Sequence, residues 1–174
     1  DLSEGFSLSP LSARWAGGER SGELLDETRD ALGGIRPDDL GAVRELVEAV
    51  LPRLAGPGRE QARRVVLALL DTVRRRFFTR QLRAERIEPW LSVLLPAVQQ
   101  ADVTVADVLR AREEAEPRTV AMRLLGADAS ELTVADVARR TRALARGVLA
   151  LGGDDVSVAI LSENSLEAAL CDLA

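Results

Sequence analysis

The sequence has 174 residues, of which 47% are hydrophobic and 29% charged, which is ordinary for a globular protein and sufficient for one or two cores. Aromatic residues make up only 3%, so any core must be built mainly from Leu, Val and Ala. The formal net charge of −5 argues against nucleic acid as a partner, because neutralising phosphates requires a basic surface.

Several residue types that often carry chemistry are missing. There is no His and no Tyr, and all 23 basic residues are Arg. The chain therefore lacks a Ser–His or Cys–His dyad, a Schiff-base lysine and a phosphate-binding lysine. The single cysteine, Cys171, excludes an intrachain disulfide and a cysteine metal cluster, and its apolar context predicts a buried, inert thiol. We predict no catalytic residue, no cofactor-binding residue and no metal ligand in this chain.

The ends and the hydropathy pattern bear on localisation. The chain starts at Asp1 and its only methionine is Met122, so we expect the initiator to have been lost through processing, trimming or incomplete coverage. The start has no signal-peptide pattern, and no apolar run approaches the ~20 residues of a transmembrane helix. These features predict a cytoplasmic protein, with peripheral membrane attachment as an alternative.

The first hundred residues predict an arm followed by a helical bundle. Residues 1–20 are rich in Ser, Gly and Pro without a period, which predicts an extended arm pinned to a neighbouring surface by Phe6, Leu8, Leu11 and Trp15. Residues 21–101 predict four helices. These are a helix capped by Ser21 and stopped by Gly33-Gly34, one from Pro37 to Pro52, a long one from about Arg59 to Glu88, and a segment opened by Pro89 and interrupted by Pro96.

Residues 102–174 predict a mixed α/β region. Thr104 and Thr133 each begin TVADV and are interpreted as two similar helix caps rather than a repeat. The remaining pattern first predicts helix Val105–Glu116, strand Thr119–Leu125 and a short return strand at Glu131-Leu132. It then predicts helix Val134–Leu151, whose inward residues are Val137, Leu144, Val148 and Leu151. The chain finishes with a predicted strand, Val156–Leu161, and a predicted helix from Ser165, which Ser162 or Asn164 caps.

Four phrases in this region occur in a recognisable order. They are VLRAREEAEPRTVAMRLL, with Pro117 before the strand, LTVADV from Leu132, GVLALG from Gly147, and GDDVSVAILSENSLEA from Gly153. Together they resemble the opening of the adenylate-forming, or AMP-binding, enzymes, and within them the long-chain acyl-CoA synthetases. Val134 stands where an aromatic residue is usual, Ser165-Leu166 where Arg-Pro is frequent, and Ala168 where Trp is.

The resemblance implies a fold and an activity for a longer parent. The fold would be a mostly α N-terminal bundle followed by the first α/β elements of an adenylate-forming large domain, here truncated. The parent would be an ATP-dependent acid–thiol ligase that activates a fatty or other carboxylic acid as an acyl-adenylate and transfers it to CoA, using ATP, Mg²⁺ and CoA. The family's phosphate loop, ribose-binding carboxylates and catalytic lysine lie further along, so no residue here matches them.

Two clusters carry alternative interpretations. Ser162-Glu163-Asn164 follows a predicted strand, where α/β sheets place ligands, but a helix cap is the favoured interpretation. The basic stretch around Phe77 and Phe78 suits lipid headgroups, CoA phosphates or RNA, but a solvated helix face is favoured. Its arginines are Arg74, Arg75, Arg76, Arg80, Arg83 and Arg86. The alternative function for the whole chain is a helical protein-interaction or membrane-docking module without catalytic activity.

Overall fold

The computed structural model describes residues 6–75, 84–124, 129–152, 157–161 and 165–174. Over these residues the protein is mostly helical, with one two-stranded sheet. The chain divides into two compact units, Asp1–Val103 and Thr104–Ala174.

The described residues of the first unit form an all-helical core. Its elements are α1 Ser9–Ala16, α2 Gly22–Leu32, α3 Leu40–Val50, a 3-10 turn Leu51–Ala55, α4 Arg59–Val73 and α5 Ala84–Gln100. Leu24, Leu46 and Leu69 are fully buried, together with both tryptophans, Trp15 and Trp90. Because burying a leucine contributes roughly 1.5–3 kcal/mol relative to exposure, this core accounts for the packing of all five helices.

Helix α2 forms as its sequence predicts. The Ser21 hydroxyl accepts the Leu24 N–H at 3.0 Å, and the helix ends at Leu32, before Gly33. The sequence spacing predicts one inner face for this helix, and that face is confirmed because its four members are buried: Leu24, Leu25, Thr28 and Leu32. A local cap and a 3.6-residue stripe are therefore sufficient to define this element.

The extended arm predicted for residues 1–20 is wrong over Ser9–Ala16, which form helix α1. Pro10 lies in the first turn, where the missing N–H costs nothing, and Leu8 and Trp15 are buried against the core. Two helical turns are too short to show a clear period, and tertiary packing stabilises them. The predicted pinning is confirmed, because four apolar side chains pack on the core: Phe6, Leu8, Leu11 and Trp15.

Hydrogen bonds as well as apolar contacts hold α1 in place. The Trp15 indole N–H donates to Thr28 Oγ1 at 3.0 Å, and that hydroxyl donates to the Leu24 carbonyl oxygen at 2.6 Å. The Arg53 guanidinium donates to the carbonyl oxygens of Trp15, at 3.0 Å, and Ala16. These bonds satisfy polar groups that burial would otherwise leave without partners.

The helix boundaries near the prolines differ from prediction. The second predicted helix begins at Leu40 rather than Pro37, because the Asp39 carboxylate accepts the Arg36 N–H at 2.7 Å and forms a turn there. Its stop is as predicted, since α3 ends at Val50 and Pro52 lies in the 3-10 turn.

Helix α5 continues through both Pro89 and Pro96, so the predicted break and interruption are wrong. A proline inside a helix costs about 3 kcal/mol. The two prolines together cost about 6 kcal/mol. The burial of Trp90, Val93 and Leu94 on the same helix, at roughly 1.5–3 kcal/mol each, offsets that cost. Residues 76–83 of the long predicted helix lie outside the described residues, and α4 is described as Arg59–Val73.

Helix α5, the last helix of the first unit, is terminated by a residue in the left-handed αL conformation. Asp102 has a φ of 51°, its N–H donates to the Gln99 carbonyl at 3.2 Å, and the Val103 N–H donates to the Val98 carbonyl at 3.1 Å. This pair of bonds is the Schellman arrangement. Arg63 donates to the Asp102 carbonyl oxygen at 2.8 Å and holds the stop against α4.

The second unit is built around a hairpin. Its elements are α6 Val105–Ala115, β1 Val120–Leu124, β2 Ser130–Thr133, α7 Val134–Gly152 and α8 Leu166–Asp172. The strands are antiparallel, with Met122 opposite Leu132 and Arg123 opposite Glu131. The predicted first strand and its return strand are both confirmed.

The two TVAD phrases form matching capping boxes. The Thr104 hydroxyl accepts the Asp107 N–H at 3.2 Å, and the Asp107 carboxylate accepts the Thr104 N–H at 2.9 Å. At Thr133 and Asp136 the corresponding distances are 3.1 Å and 3.2 Å. The interpretation as two similar caps is confirmed, since each satisfies backbone donors at the start of its helix.

The strand predicted at Val156–Leu161 is wrong for its described part, because Ser157–Leu161 are neither strand nor helix. No neighbouring strand pairs with them among the described residues, and an apolar sequence cannot form a strand without a partner. Leu161 is fully exposed, and Leu151, predicted to face inward, is 89% exposed.

The last helix is capped differently from prediction. Ser165, rather than Ser162 or Asn164, is the cap of α8, and its hydroxyl accepts the Ala168 N–H at 3.1 Å. The helix therefore begins at Leu166. Both predicted caps lie outside the described residues.

We expect Thr28→Val to destabilise the first unit by about 1–3 kcal/mol, because it leaves the buried Trp15 N–H without an acceptor. Denaturant unfolding followed by tryptophan fluorescence measures this effect. Thr141→Val is the matched control, since Thr141 is also buried but its hydroxyl has no hydrogen-bond partner among the described residues. The control should be neutral or stabilising by circular dichroism, and an equal loss in both variants would contradict the assignment.

We expect Asp102→Val to cost about 1–2 kcal/mol, because a β-branched residue is strained at positive φ. Asp102→Asn is the control, since Asn tolerates the left-handed region and its side chain is similar in size. Thermal unfolding of the two variants distinguishes backbone strain from loss of the exposed carboxylate, because only a charge effect would make Asn as harmful as Val.

Candidate functional site: an open groove beside strand β1

The described residues of the second unit form an open groove of about 660 Å³. Strand β1, helix α8 and the segment 157–161 supply its walls. The lining residues are Met122, Arg123, Leu124, Ile160, Ser165, Leu166, Ala168, Ala169 and Asp172. Most of this lining is apolar, so the groove suits an apolar partner more than a charged ligand.

The groove lies along the outer edge of β1. Met122, Arg123 and Leu124 are consecutive, and consecutive strand residues point to opposite faces of a sheet. A groove that touches all three of them, and no residue of β2, therefore follows the edge rather than one face. Among the described residues β1 pairs only with β2, so its other edge presents backbone groups available for another strand.

The charged groups of the groove are poor candidates for chemistry. The Arg123 guanidinium already pairs with Glu131, with N···O distances of 2.6 and 2.7 Å. The Ser165 hydroxyl caps α8, which leaves Asp172 as the only other ionisable lining residue. Such a set offers no nucleophile with an adjacent base, and it points to a packing surface rather than an active site.

The described residues of the second unit expose several large apolar side chains. Leu161 is fully exposed, Val158 is 59% exposed and Ile160 is 46% exposed. The others are Val105, Val120, Leu124, Leu149 and Leu151. The fully formed core beneath them is small, with Leu132, Val137 and Leu170 buried. Exposed apolar side chains above so small a core are typical of a surface that another part of a protein covers.

Cys171 differs from its prediction. It lies in α8 and is exposed, so the buried thiol that its apolar neighbours predicted is wrong. Helix α8 has seven residues, and only Leu170 of these is buried, so the helix covers little of the core. No catalytic role follows, because the sequence contains no His to activate the thiol.

The basic stretch is described only at its start. Arg74 and Arg75, at the end of α4, both pair with Asp71 one turn earlier, at 2.8 Å and 2.5 Å. Burial raises the pKa of Asp71, but the hydrogen bonds from Arg75 and Arg74 outweigh it and hold the pKa below its ordinary value. For Arg74 and Arg75, pairing within one helix is therefore the interpretation that the structure supports, rather than a ligand contact. The remaining four arginines, both phenylalanines and Ser162-Glu163-Asn164 lie outside the described residues.

A charged cluster in the first unit is structural. Arg14 pairs with Glu19 at 2.7 Å and with Glu27, and the Ser21 hydroxyl donates to Glu19 at 2.7 Å. The hydrogen bonds from Arg14 and then Ser21 lower the pKa of Glu19 from 4.5 to about 2. The cluster fastens the end of α1 to the start of α2, and each of its charges has a partner.

The described residues also bear on metal binding and on membrane insertion. Within the described residues no group of His, Cys, Asp and Glu side chains is arranged to hold a metal ion. No helix in the same residues has both the length and the apolar character needed to cross a membrane.

Comparison with known proteins returns no relative. No protein-family model, no curated protein and no solved structure matches this chain. The function must therefore be proposed from the residues and the groove.

We expect the chain to bind an apolar dye such as anilinonaphthalene sulfonate through the exposed side chains around the groove. Replacing Val158 and Leu161 by Asp should reduce the dye fluorescence and leave helix content unchanged, because both side chains are mostly exposed. Ser157→Asp with Ala159→Asp is the matched control, since it adds the same charge to the same segment. Equal dye binding by all three proteins would contradict the assignment of this surface.

We expect the stabilising effect of Glu19 to be lost at acid pH. Its folded-state pKa is depressed, so the contribution is present above about 4.5 and declines as the pH falls towards about 2. The melting temperatures of the wild type and Glu19→Gln should therefore differ at pH 7 and converge between these values. A difference that stays constant down to pH 2 would show that the ionisation of Glu19 is not its source.

Proposed function

We propose that this chain is the N-terminal part of an ATP-dependent acid–thiol ligase of the adenylate-forming class. The parent enzyme activates a fatty or other carboxylic acid as an acyl-adenylate and transfers the acyl group to CoA. In this proposal the first unit is a helical extension, and residues 102–174 begin the large catalytic domain. The proposal is supported by the four sequence segments between Val108 and Ala168 that resemble this class of enzyme and occur in the same order.

The open edge of β1 is the observation that carries the proposal. Among the described residues β1 has one unpaired edge and lies beside an apolar groove, which is what the beginning of a larger sheet should present before its later strands are added. The partner of this surface is the remainder of the same domain. The exposed Val158 and Ile160 then become part of the interior that the remainder completes.

The residues of this chain do not fit the cofactors of the proposed reaction. The sequence has no Lys for a phosphate, the described residues hold no metal-binding cluster, and Arg123 of the groove is already paired. ATP, Mg²⁺ and CoA therefore belong to the remainder of the parent. The role of this chain is to support the sheet, and no catalytic step is assigned to its residues.

A second function is favoured by one feature of the first unit. Leu91 and Leu95 lie one turn apart on α5 and are 36% and 53% exposed. Such a stripe is compatible with a helical module that docks the enzyme on a protein or on a membrane surface. This role complements the ligase proposal, since it concerns residues before Thr104. The parent is then a cytoplasmic enzyme with a peripheral attachment.

The direct test is acid-dependent ATP–pyrophosphate exchange. The protein encoded by the whole open reading frame should catalyse exchange with a panel of fatty and other carboxylic acids. The 174-residue chain alone should stay at background, because it lacks the residues that hold the nucleotide. Exchange by the short chain, or none by the whole protein with any acid, would overturn the proposal.

A substitution in the groove tests the structural part of the proposal separately. Leu124→Glu should be tolerated in the 174-residue chain, where Leu124 is 37% exposed, and should strongly destabilise the whole protein, where later strands would bury it. Val105→Glu is the matched control, because Val105 is 60% exposed on α6 and does not line the groove. If Leu124→Glu has the same small effect in both proteins, the remainder of the domain does not cover this edge.

A further inference from the structure

We draw no further inference here: the strongest candidate outside the groove already described, the exposed stripe of Leu91 and Leu95 on α5 of the helical unit, is an apolar face for which nothing in the structure shows what covers it.

Discussion

The unpaired outer edge of β1 is the constraint on which the second unit depends. A strand can hydrogen-bond along both edges, and the described residues satisfy only the edge that faces β2. Water can satisfy the other edge, but it cannot cover the apolar side chains beside it. Among the described residues nothing pairs with this edge, and the groove, the exposed segment 157–161 and the short helix α8 belong to the same unit.

The first unit contrasts with the second because its helices close their own core. A helix satisfies its backbone internally, so a bundle needs only side-chain packing from its neighbours. Trp15 and Trp90, on the first and last helices of the unit, are both 1% exposed. Where α1 meets this core, Thr28 and Arg53 form hydrogen bonds with polar groups that packing alone would leave without partners.

Much of the fold follows from local residues. The cap at Ser21, the two TVAD boxes and the hairpin strands form where the sequence places them, because each depends on residues within a few positions of one another. The failures have a common cause, which is packing at a distance. Helix α1 and the continuous α5 exist because a distant core stabilises them. Ser157–Leu161 is not a strand, and no strand pairs with it among the described residues.

The sequence by itself determined the absence of His and Lys, the aliphatic character of the core, the helical face of α2, and the caps at Ser21, Thr104 and Thr133. These are properties of composition and of short-range spacing. Only the tertiary structure decided where the candidate surface lies. Met122, Leu124 and Leu166 are separated by up to 44 positions, and no local pattern predicts that they line one groove. A groove forms where elements distant in sequence meet and leave an edge unfilled, and that outcome depends on which pairings the folded chain makes.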